Sequence, residues 1–181
     1  FFVMLCLLPN VLTEADFAVY RVYFSLIMVF SMLGIGGVNS VVTRHFHDFN
    51  EDALKLKVFN FVSLMTVILF GLISVCAIYL SKNTLYALKH TESPYLLTYF
   101  YCVPISTFFL VMIYYFESYS IATHRLTAPS VVKEILMRLI LLAGVGLYYY
   151  HIITIYQFFI LYALSYVVGF VILMIYCIAI R

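Results

Sequence analysis

Charge is what this chain has least of. Lys, Arg, Asp and Glu make up only 10% of its residues, against about 25% in an ordinary soluble domain. A water-soluble core of 181 residues would still need a wetted, charged surface, so the composition excludes one. The formal net charge is +2, and no basic patch stands out that would suggest a nucleic-acid partner. Tryptophan is absent. The four cysteines, Cys6, Cys76, Cys102 and Cys177, all fall inside apolar runs and form no C-x-x-C. A disulfide framework or a zinc site would place them in loops or at ligand spacing, so they read as small apolar fillers. Also missing are H-E-x-x-H, G-x-S-x-G, a P-loop and any Asp pair inside an apolar run, which argues against a membrane protease, an ATPase and a cation pump. There is no low-complexity linker and no convincing internal repeat.

What is present is apolar length. Hydrophobic residues make up 66% of the chain and mean hydropathy is +1.09. Val22–Thr43, Val58–Ser81, Ser93–Phe116 and Leu139–Ile180 contain no Asp, Glu, Lys or Arg, and the last is long enough for two spans. About 18 apolar residues cross a hydrocarbon core of about 30 Å. A lipid-spanning chain must satisfy its backbone with helices or a closed barrel. The runs lack the alternating polarity of barrel strands, so the fold expected is an all-α integral membrane bundle of six helices. They are Phe1–Leu12, Glu14–Val42, Leu56–Leu80, Pro94–Ala122, Pro129–Tyr149 and Ile153–Ile180. Phe1–Leu12 has no basic n-region and no small-residue cleavage site, so it reads as the cut end of a first span and not as a signal peptide. With the chain stopping at Arg181, just past another apolar run, the expectation is one lobe of a larger membrane protein, residues 1–181 forming a single unit.

Loops then alternate between two sides. One side carries Arg44, Lys55, Lys57, Arg125, Lys133 and Arg181; the other carries Arg21, Lys82 and Lys89. The positive-inside rule puts the first side in the cytoplasm and His151 outside. Thr13, with Asp16 three residues on, reads as a variant capping box opening the second span. Pro104 predicts a kink near Ile105 in the fourth. Gly34, Gly36 and Gly37 in the second span read either as close helix packing or as a hinge. Most of the 17 tyrosines, among them Tyr20, Tyr23, Tyr95, Tyr99, Tyr114, Tyr115, Tyr119 and Tyr148–Tyr150, read as an interfacial aromatic belt. His45, His47 and Asp48 form a metal site only on paper and read as a solvated loop.

Ionisable groups within spans are costly and point to function. Arg138 lies about 13 Å into the fifth helix, at about 1.5 Å per residue. Glu134 is one turn earlier on the same face and can pair with it, while Lys133 falls on a different face. Glu117 sits in the last turns of the fourth helix and Arg21 near the outer end of the second. Two readings of Arg138 stand. It snorkels to the cytoplasmic interface, or it lines a wet cavity and offers its planar fork to a phosphate or carboxylate.

Leu12–Arg21, with Leu33-Gly34-Ile35 and Arg44, resembles the first two spans of bacterial polysaccharide flippases of the Wzx type, in the MATE-like superfamily. Those proteins enter the second span through a Leu, a short polar turn and acid–aromatic–Gly, with a Tyr nearby. Asp16-Phe17 and Tyr20 fit this pattern, and Ala18 stands where the family usually has Gly. Glu117-Ser118-Tyr119, Arg125, Pro129 and Lys133 through Arg138 are similar to the family's fourth-to-fifth span connection. The resemblance implies an N-terminal six-helix lobe of a two-lobe transporter of the bacterial inner membrane, with the C-terminal lobe as its partner. The implied substrate is an undecaprenyl-pyrophosphate-linked oligosaccharide, bound by Arg138, Glu134, Arg21 and Glu117 and moved by alternating access. No organic cofactor is implied, and a driving ion, H+ or Na+, stays open. Against the transporter stand a membrane-embedded glycan transferase or polymerase and a structural membrane subunit. The enzyme would want a large outer loop rich in acids or His, and the longest outer loop, about Ser81–Ser93, has Glu92 as its only acid.

Overall fold

The computed structural model describes residues 8–49, 52–88, 100–125 and 127–179, without the side chains of 82–88. Among the described residues there are helices and turns and no strand. Residues 8–11 are helical. Then follow α1 (Glu14–Ile35), α2 (Val38–His45), a 3₁₀ turn (His47–Phe49), α3 (Ala53–Leu88) and α4 (Cys102–Ala122). The chain continues through α5 (Thr127–Val131), a π-helical turn (Val132–Leu136), α6 (Met137–Tyr149) and α7 (Ile155–Ala179). Among the described residues four stretches are long and apolar enough to cross a membrane: α1, residues Ala53–Ser81 of α3, α4 and α7.

Several boundaries depart from the sequence expectation. The second span was expected as one helix, Glu14–Val42; it breaks at Gly36 and Gly37, both at positive φ (53° and 78°). Only glycine takes this left-handed backbone at little cost, and Gly36 closes α1 by donating its N–H to the Leu33 carbonyl at 3.2 Å. Pro104 was expected inside a longer helix. It sits instead in the first turn of α4, where a missing N–H leaves no ladder bond empty. The segment from Pro94 to Tyr99 and residues 1–7 of the expected first span lie outside the described residues. Of the variant capping box the Thr13 half is present, and Asp16 answers the Thr13 hydroxyl. Thr13 accepts from the Asp16 N–H at 3.3 Å, and its hydroxyl donates to the Asp16 carboxylate at 2.6 Å.

α4 is the central helix, packing against α1, α3 and α7, while α6 packs on α7. Its sequence explains this place. Cys102, Ser106, Thr107, Ser118 and Ser120 are small and buried all along it, so neighbours approach closely. The Thr107 and Ser118 hydroxyls are spent on carbonyls one turn back, at 2.8 and 2.9 Å. Gly34 marks the tightest crossing, since a β-carbon there would lie 2.8 Å from both Ser74 Oγ and Val111 Cγ2. The packing reading of Gly34 therefore holds, and the left-handed break belongs to Gly36 and Gly37. By contrast Phe61, Val62, Met65, Leu69, Leu72 and Ile73 leave one side of α3 exposed. An apolar face of that length is unfavourable in water by about 25 cal/mol per Å² and at home in lipid.

The tyrosine belt is corrected in part. Tyr149 and Tyr150 are exposed at the end of α6, as a belt requires, but Tyr20, Tyr23 and Tyr115 are buried. Tyr20 meets Tyr162 edge-on at 5.4 Å and Tyr23 meets Phe159 at 5.3 Å. The Tyr115 hydroxyl donates to the Asn60 carbonyl at 3.1 Å. In a chain without tryptophan, these rings knit α1 and α3 to their neighbours. Tyr95 and Tyr99 lie outside the described residues.

Candidate functional site

The helices leave a cleft of about 420 Å³. Tyr20, Arg21, Phe24, Ser25 and Met28 of α1 form one wall, and Lys133, Glu134, Met137, Arg138 and Leu141 form the other. The floor is Leu110 and Tyr114 of α4 with Tyr162, Ser165 and Tyr166 of α7, and Leu8 lies at its edge. Arg138 is eleven residues from the end of α6 at Tyr149, or about 16 Å along the axis. The structure therefore brings Arg21, Glu134 and Arg138 together on one cleft, although they come from two helices far apart in sequence.

Lys133 belongs with them, against the sequence expectation that it faces elsewhere. The reason is the π turn. The Met137 N–H reaches back five residues to the Val132 carbonyl, so neighbours along this face are i and i+5 as well as i and i+4. The widened turn lets Lys133, Glu134 and Arg138 share one wall. Neither Gly nor Pro stands in Val132–Leu136 to announce it.

Two ion pairs stand on this wall and they differ in kind. Arg138 donates to Glu134 one turn back, with both side chains about half exposed; such a pair contributes only a few tenths of a kcal/mol. Lys133 reaches across to Glu117 of α4 at 2.8 Å, with exposures of 30% and 25%. Its ammonium also lies 4.6 Å from the centre of the Tyr114 ring, a cation–π contact. Glu117 itself stands just outside the cleft lining and enters the site through Lys133. Sixteen residues and a turn separate the two, so no local spacing rule could have paired them.

Arg21 is exposed, and its guanidinium lies over the Phe17 ring at 5.8 Å rather than on Glu14 or Asp16. Three cations, Arg21, Lys133 and Arg138, thus meet two acids, leaving the site with a net charge of +1. The floor adds hydroxyls. Tyr162 and Tyr166 share a hydrogen bond at 2.8 Å, and Ser165 donates to the Tyr162 carbonyl at 2.7 Å. Their i, i+4 spacing on α7 was the signal that would have placed both tyrosines on one face.

Chemically the cleft offers positive charge, hydroxyl groups and aromatic faces within an apolar bundle. It suits an anionic, hydroxyl-rich ligand. Among the described residues no three His, Cys, Asp or Glu side chains come close enough to hold a metal ion. His45 pairs with Asp48 at 2.9 Å and His47 stacks on His124 at 5.4 Å, and none of these four lines the cleft. None of the protein families, curated proteins or solved structures compared with the chain matches it.

Proposed function

We propose that the chain is a helical lobe of a transporter that carries a lipid-linked oligosaccharide across the bacterial inner membrane. In this reading it is the N-terminal, MATE-like lobe of a polysaccharide flippase, working by alternating access with a second, C-terminal lobe. The observation that carries it is the cleft itself: Arg21, Lys133, Glu134 and Arg138 gathered on facing walls between apolar helices. A charge there is unfavourable by a few kcal/mol at least unless paired or wet, and three cations exceed what two acids can neutralise. An anionic pyrophosphate supplies the missing charge, and Arg138 can meet it with two parallel N–H donors. The exposed Ser25 hydroxyl on the α1 wall suits a sugar hydroxyl. Exposed apolar faces along α3 give the polyprenyl tail a lipid-like path.

The test is complementation of a flippase-null strain by the full-length gene product. Arg138→Ala abolishes export while the protein still accumulates in the membrane fraction. Arg138→Lys, which keeps charge and loses the fork, weakens export more than it weakens accumulation. Full export by Arg138→Ala returns the residue to a snorkelling role. Loss of accumulation together with export would favour a structural subunit instead.

A further inference from the structure

We propose that Lys133 is an anion-binding residue held in reserve by Glu117: a phosphoryl group entering the cleft takes the Lys133 ammonium and displaces the Glu117 carboxylate. The inference deepens the flippase reading and rests on the same cleft, but its chemistry needs only a phosphate-bearing ligand.

Four observations carry it. Lys133 lines the cleft, and Glu117 does not. Among the described residues Lys133 is the cleft cation tied to a different helix by its ion pair, whereas Arg138 is paired within its own wall. Its position depends on a π turn, and such single turns recur at functional sites. Finally, the Tyr114 ring holds the ammonium from the side, so Lys133 keeps one favourable contact while its carboxylate partner changes. Tyr114 is steadied in turn by its hydroxyl, 3.9 Å from Met28 Sδ on the opposite wall.

The exchange is physically balanced. An ion pair exposed by 30% and 25% contributes about 1 kcal/mol, whereas a doubly charged phosphoryl group offers a stronger, charge-assisted partner. Glu117 is 25% exposed and five residues from the end of α4 at Ala122, so its freed carboxylate is within reach of the helix end instead of being stranded. Breaking the pair also loosens the tie between α4 and the α5–α6 rod, which couples ligand binding to movement of that wall.

The decisive variant is Glu117→Gln. If Glu117 competes with the ligand, removing its charge tightens phosphate binding, by about fivefold for the loss of a pair worth about 1 kcal/mol. A purely structural pair predicts the opposite: a lower melting temperature and unchanged or weaker binding. The experiment uses the purified full-length protein in a neutral detergent, with inorganic pyrophosphate as the first probe and calorimetry as the readout. Lys133→Met lowers pyrophosphate affinity about tenfold or more. The charge-swapped double variant Lys133→Glu, Glu117→Lys retains a cross-helix pair, so it controls for folding; it recovers the melting temperature without recovering the affinity ratio between the two single variants.

The source of the phosphate is read in two further arms. Farnesyl pyrophosphate represents a polyprenyl-linked headgroup, and nanodiscs with or without phosphatidylglycerol represent ordinary anionic lipid. Tightening by Glu117→Gln with either ligand supports the exchange and says which source the site takes. Unchanged or weaker pyrophosphate binding in Glu117→Gln, or full binding in Lys133→Met, overturns it. Export that survives Lys133→Met along with full binding leaves the flippase reading standing and removes the exchange. Pyrophosphate binding through Lys133 in a protein that exports no glycan does the reverse.

Discussion

Gly34→Ala should destabilise the bundle, although alanine is the better helix former. The substitution in an exposed helix interior would be worth about 1 kcal/mol in favour of Ala. Here the new β-carbon lands 2.8 Å from Ser74 Oγ and 2.8 Å from Val111 Cγ2, on two different helices. Val111 is fully buried and Ser74 is 5% exposed, so neither can swing away and the helices must separate. Overpacking of this kind costs about 1–3 kcal/mol, which leaves a net loss of about 1 kcal/mol. Ser74→Ala removes one of the two contacts and leaves Ser74 Cβ at 3.4 Å, so the double variant should recover part of the loss. The assay is thermal unfolding of the purified protein in detergent, read as a four-member cycle with Ser74→Ala alone. Gly34→Ala as stable as the starting protein would refute the close crossing of α1, α3 and α4. A double variant with no recovery would place the strain elsewhere.

Thr13→Ala removes the cap on α1 and should cost about 1 kcal/mol in the same unfolding assay, with Thr13→Ser close to neutral. Gly36→Ala forces a β-carbon into left-handed backbone at φ 53°, so it should lose about 1 kcal/mol where Gly146→Ala, with open space around it, loses none. Single cysteines at Asp48 and His151 in a cysteine-free background should label from opposite sides of the membrane. Asp48 should be reached only after the cells are opened, and labelling of Asp48 in intact cells would invert the orientation. Tyr114→Leu keeps the bulk of the floor but removes the face over the Lys133 ammonium. It should reduce pyrophosphate affinity by a few-fold, and unchanged affinity would remove Tyr114 from the site.

Much of the bundle was legible because lipid sets blunt rules. Charge-free runs marked α1, α3, α4 and α7, and the Thr13–Asp16 pair marked where α1 begins. Glu134 and Arg138 were legible as one face because i and i+4 meet on any α-helix. What escaped notice depends on contacts between distant segments. Gly36 and Gly37 look like the packing glycine Gly34 in sequence, and only the backbone tells a left-handed stop from a small surface. The π turn at Val132–Leu136 has no residue that demands it, yet it moved Lys133 onto the cleft. Glu117 met Lys133 through the fold of α4 against α5, which no periodicity reports. Tyr20 and Tyr23 read as interfacial because tyrosine favours headgroups, while an edge-on partner on α7 decided otherwise.

The most direct measurement of the central claim is translocation itself. Full-length protein is reconstituted into proteoliposomes carrying a polyprenyl-pyrophosphate-linked oligosaccharide with a labelled sugar, and outer-leaflet sugar is followed with a membrane-impermeant glycosidase. The account predicts a protein-dependent rise in the accessible fraction, lost in Arg138→Ala at equal protein incorporation. An accessible fraction that does not depend on the protein, or one that Arg138→Ala leaves unchanged, would contradict it.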